Sequence, residues 1–246
     1  LNNIAAHYSP FSYDNTVYNE NDILKIDYGV HLQGHMVDAA FSITHNKELE
    51  ELKKISQKAT FLAIKESGVD AYLSDIGSII EEYITSNEIE INNKIYQVSV
   101  CKDLCGHQIL PFKIHGHKVI PNVKMFYVQR MKEGEIYAVE TFPTTGKGIL
   151  KNGNNKSHYM INYFEKVPKK FKDNSTLKRI MYKRNTLPWH LDWLCGDIDI
   201  KLNDFKELID KKVISEYPSL EDIEGSFIAQ TENTIGVFEN GVKIYT

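Results

Sequence analysis

Two runs of ten residues, DILKIDYGVH (22–31) and HMVDAAFSIT (35–44), stand only three residues apart. Both are rich in β-branched and aromatic residues, the composition of strands. The interval Leu32-Gln33-Gly34 has room for a turn and nothing longer, so the runs are expected to pair as an antiparallel hairpin. Each carries one acid among apolar neighbours: Asp27 follows Ile26, and Asp38 sits among Met36, Val37, Ala39, Ala40 and Phe41. With the tip at Leu32 and Gln33, Asp27 falls directly opposite Asp38. Partners so placed have Cβ atoms ~4.5–5.5 Å apart, and like charges there are destabilising. A bound cation is the simplest remedy. A solvent-facing pair or a shifted register is the alternative.

The anomaly recurs twice. Glu140 lies inside the apolar strand EIYAVETF (135–142), and Glu232 follows Phe227, Ile228 and Ala229 and precedes Ile235. Any one of these acids could simply face outward at a sheet edge. Four of them, in three separate strand segments if the hairpin counts as one, supply what a carboxylate-lined dinuclear metal site needs. Histidines add nitrogen donors: Gly106-His107 is read as a turn, His115 as part of the strand 112–120, and His7 lies near the start in Ala5-Ala6-His7-Tyr8. A lone histidine is more often structural than a ligand, and nine in the chain make chance matches easy.

Helical periodicity appears in 47–66, where Leu49, Leu52, Ile55, Ala59, Leu62 and Ala63 recur on one face, with Gly68 as its stop. A second helix is expected over 74–86, capped by Ser74. Strands are expected at 95–101 and 112–120, a polar loop at 150–157, mostly helix over 173–217, and a closing pair of strands around Asn240-Gly241. The class is α+β, with 157–217 looking like an inserted helical subdomain.

Composition excludes several functions. No stretch approaches the ~20 apolar residues of a membrane span, so no membrane is expected. The formal net charge of -4 argues against direct nucleic-acid binding. The basic run from Lys166 to Lys172 reads as a solvated face. Three cysteines, Cys101, Cys105 and Cys195, give no disulfide framework and point to a reducing, cytoplasmic setting. Cys101 and Cys105 lack zinc-knuckle spacing.

The segments NNIAAHY (2–8), KIDYG (25–29), VDAAF (37–41), Gly106-His107, Ile114-His115, AVETF (138–142) and AQTE (229–232), in that order and spacing, resemble the signature of type 2 methionine aminopeptidases. The resemblance runs over the whole chain. It implies the pita-bread fold of creatinases and aminopeptidases, a curved antiparallel sheet backed by helices, with 157–217 as the type 2 insertion. It implies a metallopeptidase catalytic domain spanning 1–246, with roughly a hundred family residues expected before Leu1. It assigns Asp27, Asp38, His107, Glu140 and Glu232 to two divalent ions of Co, Mn, Fe or Zn, whose four positive charges match four carboxylates. Asp27 would chelate one ion, Asp38 and Glu232 would bridge the pair, and His107 and Glu140 would complete the other. Such a pair acidifies a shared water. Glu140 would carry the proton, His115 would stabilise the oxyanion, and His7 would bond the peptide. Ile114, Phe142, His158 and Tyr217 match the methionine pocket, with a small second residue preferred; core packing is the competing reading for Ile114 and Phe142. The substrate would be the initiator methionine of nascent proteins, the ribosome a candidate partner, and the enzyme a monomer.

Three positions depart from the family pattern: Cys105 stands where Asn is usual, and Gly116-His117 where Ala-Gly is usual. Two rivals remain at this point. One is a proline-specific peptidase on the same fold, which would share all five ligands. The other is a non-catalytic relative that binds protein or RNA; such relatives have lost ligands, and here all five are present.

Overall fold

The computed structural model describes residues 1–164, 166–197 and 201–246. The chain forms two compact units: one from 1–5, 17–151 and 221–246, the other from 6–16 and 152–220.

The first unit is built on a seven-stranded sheet. Its hairpin strands are Ile23–Leu32 and His35–Thr44. They are followed across the sheet by Thr231–Phe238, Ile136–Thr141, Cys105–Ile109 and Val119–Pro121, with Gly241–Ile244 paired to Thr231–Phe238 as well. The strand latest in sequence among the six thus lies in the middle, between the hairpin and the segment 136–141. Neighbouring strands along this path run antiparallel.

The hairpin register differs from the sequence expectation by two residues. Asp27 faces Ala40, and Asp38 faces Gly29. The turn is the two-residue Gln33-Gly34, with φ of 52° and 86°, the positive pair that matches strand twist. That moves the tip one residue later than Leu32-Gln33. Because side chains alternate with period two, an even shift keeps both acids on one face and makes them diagonal neighbours. Gly34 is required here: a Cβ on it would stand 2.3 Å from the Phe112 ring.

Two helices cover one side of the sheet. The first, Lys47–Glu66, begins at Asn46, whose side chain accepts from the Glu48 N–H, and has Glu48 and Glu50 in its first turn, favourable at the positive end of the helix dipole. It ends at Ser67 rather than Gly68. The second, Leu73–Thr85, starts at Leu73; Tyr72 holds the cap position and makes no side-chain cap bond, so Ser74 is not the cap. Leu49, Leu52, Ala59, Ala63, Leu73, Ile76, Ile80 and Ile84 are wholly or almost wholly buried against Tyr137, Val139, Ile235 and Val237. Each large aliphatic side chain so buried contributes ~1.5–3 kcal/mol. The opposite face of the central strands, carrying Glu140, Glu232 and Thr234, is left to the site.

Two further corrections concern the middle of this unit. Gly106-His107 lies in the strand Cys105–Ile109, not in a turn. His115 lies outside a strand, since the partner strand is only Val119–Pro121. The expected runs 95–101 and 112–120 resolve into Lys94–Gln97, Ser99–Val100 and Val119–Pro121.

The second unit combines helices with a small sheet. His158–Ile161 pairs with Trp189–His190 on one side and Ile214–Tyr217 on the other. The helices are Ser175–Arg184, Leu191–Asp197 and Leu202–Asp210. Its core gathers Tyr159, Phe171, Leu177, Ile180, Trp189, Leu194 and Leu208. The helical reading of 173–217 also took in 198–200, which lie outside the described residues.

Candidate metal centre

Register decides which side chains converge. Reading across the sheet, Asp27 faces Ala40, Ala40 faces Glu232, and Glu232 faces Glu140. Three of four positions in one cross-strand row are therefore acids. Two residues along each strand lies a second row: Gly29 faces Asp38, Thr234 faces Ala138, and Ala138 faces His107. Both rows project from the same face because the spacing is two. Thr234 ties the hairpin to the central strand within the second row: its Oγ1 donates to the Asp38 carbonyl at 2.7 Å and accepts from the Asp38 N–H at 2.7 Å.

The side chains meet accordingly. Donor atoms of Asp38, His107 and Glu232 all lie within 4.8 Å of one another. His107 Nε2 is 3.9 Å from an Asp38 oxygen and 3.9 Å from a Glu140 oxygen. Asp27, on the exposed edge strand, joins through Gln230, whose Nε2 donates to Asp27 at 3.0 Å and to Glu140 at 3.4 Å. Gln230 is 1% exposed, and it precedes Glu232 by two, so it belongs to the next row on the same face. Sequence reading gave Gln230 and Thr234 no role. The period-two spacing from Glu232 was the signal that could have found them.

Electrostatics make the cluster unusual. Burial and the Asp27 charge push the Asp38 carboxyl up to about 7. Burial, then neighbouring carboxylates, hold Glu140 and Glu232 well above the ordinary range. Burial, reinforced by His115, pushes His107 down to about 3, so its imidazole is neutral. A neutral imidazole and several repelling carboxylates are the donor set that hard-to-borderline divalent cations take. The residues present fit such ions.

His115 packs edge-on to His107, with ring centroids 4.7 Å apart. Burial lowers its pKa, so it too is neutral near pH 7. Ile114 and Phe142 are buried in the same unit. The other three predicted residues, His7, His158 and Tyr217, belong to the second unit. There the His7 and Tyr217 rings meet edge-on at 5.2 Å, and His158 Nδ1 lies 3.4 Å from the His7 carbonyl oxygen. His7 has φ of 65°, a region that costs a non-glycine residue energy; held this way, it is a residue to suspect of function.

Two of the departing positions, Cys105 and Gly116, have a definite local setting. Burial and Glu140 raise the Cys105 thiol to about 11, so it is a neutral thiol beside the cluster. Gly116 donates its N–H to the Gln108 carbonyl at 2.6 Å. A Cβ there would come within 2.8 Å of that oxygen, so the alanine usual at this position would force the loop outward.

The sequence model of metallopeptidase family M24 matches residues 1–167. The chain belongs to metallopeptidase family M24. Among curated M24 relatives, methionine aminopeptidase 2A of Arabidopsis thaliana is 41% identical over 240 residues, which is 96% of this chain and 54% of the relative. Methionine aminopeptidase 2 of Saccharomyces cerevisiae is 39% identical over 240 residues, 96% of this chain and 56% of the relative. The chain spans about half the length of these relatives. The fold is shared with a methionine aminopeptidase of Thermotoga maritima (TM-score 0.63, 19% identity, 99% of this chain and 70% of that one). It is shared also with a thermophilic Arx1 (TM-score 0.72, 16% identity, 99% and 72%). This is the pita-bread architecture expected from the sequence. Among the described residues no helix is long and apolar enough to cross a membrane.

Proposed function

We propose that this M24 protein removes an N-terminal methionine from polypeptides, using two divalent ions held by Asp27, Asp38, His107, Glu140 and Glu232. The observation that carries the reading is the convergence of acids from three strands on one imidazole, with Asp38, His107 and Glu232 donors inside 4.8 Å. The names of the curated relatives supply the methionine specificity. When bound, such an ion pair supplies an activated water and a Lewis acid for the scissile carbonyl. The chain's own groups do the rest. Asp38 and Glu232, with donors within 4.8 Å of each other, would be shared by the two ions, while Asp27, His107 and Glu140 would serve one ion each. Glu140, held above the ordinary carboxyl range by burial, is suited to take a proton and return it to the departing amine. His115, neutral and beside His107, can donate one N–H to the oxygen that gains charge. His7, Ile114, Phe142, His158 and Tyr217 are proposed to contact the substrate. The ion identity among Co, Mn, Fe and Zn, a monomeric state, cytoplasmic residence and work near the ribosome complete the proposal.

Elemental analysis paired with peptide assays tests it. Two ions per chain and cleavage of Met-Gly-Ser are expected, with a small second residue preferred. Cleavage of x-Pro peptides alone would replace the reading with the proline-specific one.

A further inference from the structure

Beside the acid cluster, within the first unit, lies an apolar pocket with no use in the scheme above. One row on from Asp38, Thr234, Ala138 and His107 stand Met36, Gly236, Ile136 and Ile109, on the same face of the sheet because the spacing is again two. The strands His35–Thr44 and Thr231–Phe238 pair only at Glu232 and Asn233. Past that point Gly241–Ile244 becomes the neighbour of Thr231–Phe238. Tyr245 follows, donating its N–H to the Thr234 carbonyl at 2.9 Å, and strand parity brings its ring to the face that carries the acids. The ring lies against Gly236, where a Cβ would stand 2.6 Å from the Tyr245 hydroxyl oxygen and 2.9 Å from the ring. The lack of a side chain at Gly236 is what gives the ring this place. The result is a pocket of about 270 Å³ whose walls include Met36, Ile109, Leu110, Ile136 and Tyr245. Met36 and Ile109 are buried, whereas Tyr245 is 42% exposed, so the pocket opens on the Tyr245 side. An apolar cavity of ~150 Å³ already holds a benzene ring, so a leucine or phenylalanine side chain fits.

We propose that this pocket receives the side chain of the substrate's third residue and favours large apolar ones, so that polypeptides are selected beyond the methionine and its immediate neighbour. The proposal rests on the methionine-removal reading. Spacing supports it. The pocket row lies two residues, or ~6.8 Å, along the strands from the row of Asp38 and His107, and an extended peptide advances the same distance in two residues. With the carbonyl of residue one beside Asp38 and His107, the side chain of residue three reaches Met36 and Ile136. Direction supports it too. Two residues from Glu232 and Glu140 the other way come Gln230 and Phe142, each 1% exposed, and Ser42, which is 4% exposed, donates its hydroxyl to the Gln230 carbonyl at 2.9 Å. That end is closed to a continuing chain, and the pocket end is open. The pocket lining carries no acid, lysine or arginine, so a charged third residue would lose water there without gaining a partner.

The test is a series of Met-Ala-X-Ser peptides, with X as Gly, Leu, Phe or Asp, assayed with the Mn(II)-loaded protein. Full burial of a leucine side chain corresponds to ~10–150-fold in affinity, and a pocket open on one side should reach the lower end, so Leu and Phe are expected to exceed Gly by ~10-fold in kcat/KM. Asp should fall below Gly. The difference should sit in KM, because the pocket holds ground state and transition state alike. Tyr245→Ala removes one wall and should cut the Leu-to-Gly ratio by ~2-fold or more, with kcat for the Gly peptide unchanged. Apart from activity, saturating Met-Ala-Leu-Ser should give nuclear Overhauser contacts between its leucine methyls and the Tyr245 ring in the metal-free protein. Equal kcat/KM for the Gly and Leu peptides with the unsubstituted protein overturns the proposal whether or not the variant folds. So does an unchanged ratio in folded Tyr245→Ala, or the absence of the leucine contacts. Turnover of no peptide in the series overturns the methionine-removal reading and this proposal with it.

Discussion

Replacing Glu232 with Gln should stabilise the protein in chelator and destabilise it in metal, relative to the unsubstituted chain. Glu232 is 3% exposed, faces Glu140 across the strand pair, and has a donor atom within 4.8 Å of one on Asp38. Two full charges at that separation repel by about 3 kcal/mol at an effective dielectric of ~20. The folded protein relieves part of this by keeping protons. Asp38, raised to about 7, stays protonated in the folded state at pH values where the unfolded chain has ionised. The folded state therefore binds more protons across that window, and its stability falls as pH climbs from the ordinary carboxyl range through about 7. At pH 8 the repulsion is near its full size. Gln removes one charge, so a gain on the order of 1–3 kcal/mol is expected, or ~2–4 °C in Tm per kcal/mol at this chain length. At pH 5 the gap should narrow. Divalent metal inverts the order. An ion at a hundred times its Kd adds ~2.7 kcal/mol to the unsubstituted protein, and the variant, short of one anionic oxygen donor, gains less. Thermal melts at pH 5 and pH 8, with chelator and with Mn(II), read all four values. Equal or greater stability of the unsubstituted protein in chelator at pH 8 would refute the picture of a mutually repelling cluster.

Three further outcomes follow from the same geometry. His115→Ala should keep both ions and lower kcat by ~10² or more; a drop in ions per chain on elemental analysis would mean that His115 holds metal instead. Gln230→Leu removes the amide that bonds both Asp27 and Glu140, and should weaken metal affinity ~10–100-fold by calorimetry; unchanged affinity would show the amide to be incidental. Gly34→Ala places a Cβ 2.3 Å from the Phe112 ring at a residue with φ of 86°, so Tm should fall by the equivalent of ~1–3 kcal/mol; an unaltered melt would show that the turn yields freely.

The five proposed ligands were legible in sequence because each is a polar residue out of place in an apolar strand, or lies beside a glycine. Their grouping on one face was legible too, since it needs only the parity of the strand. Register was not: it hangs on whether the tip is Leu32-Gln33 or Gln33-Gly34, a choice made by two positive φ values. His107 looked like a turn residue because Gly106 precedes it, yet Gly106 sits in a ladder against Ile120. Gln230 escaped notice because an amide among acids has no anomalous charge. The pocket beside the cluster escaped because what makes room for it is the missing side chain of Gly236, which shows only once Tyr245 is packed against it. The sheet of the second unit was missed because its strands are two to four residues long, too short to establish alternation against a helical background.

The placing of Thr231–Phe238 between the hairpin and Ile136–Thr141 has a bearing on how the protein is made. During synthesis, everything from Ile23 to Thr141 emerges before the strand that must slot into its midst. Until then the hairpin and the later strands are two separate ribbons with bare inner edges, and closing the gap joins residues nearly two hundred positions apart, a slow kind of contact. Glu232 arrives on that late strand. The proposed ligands therefore come together only in the act that completes the middle of the sheet.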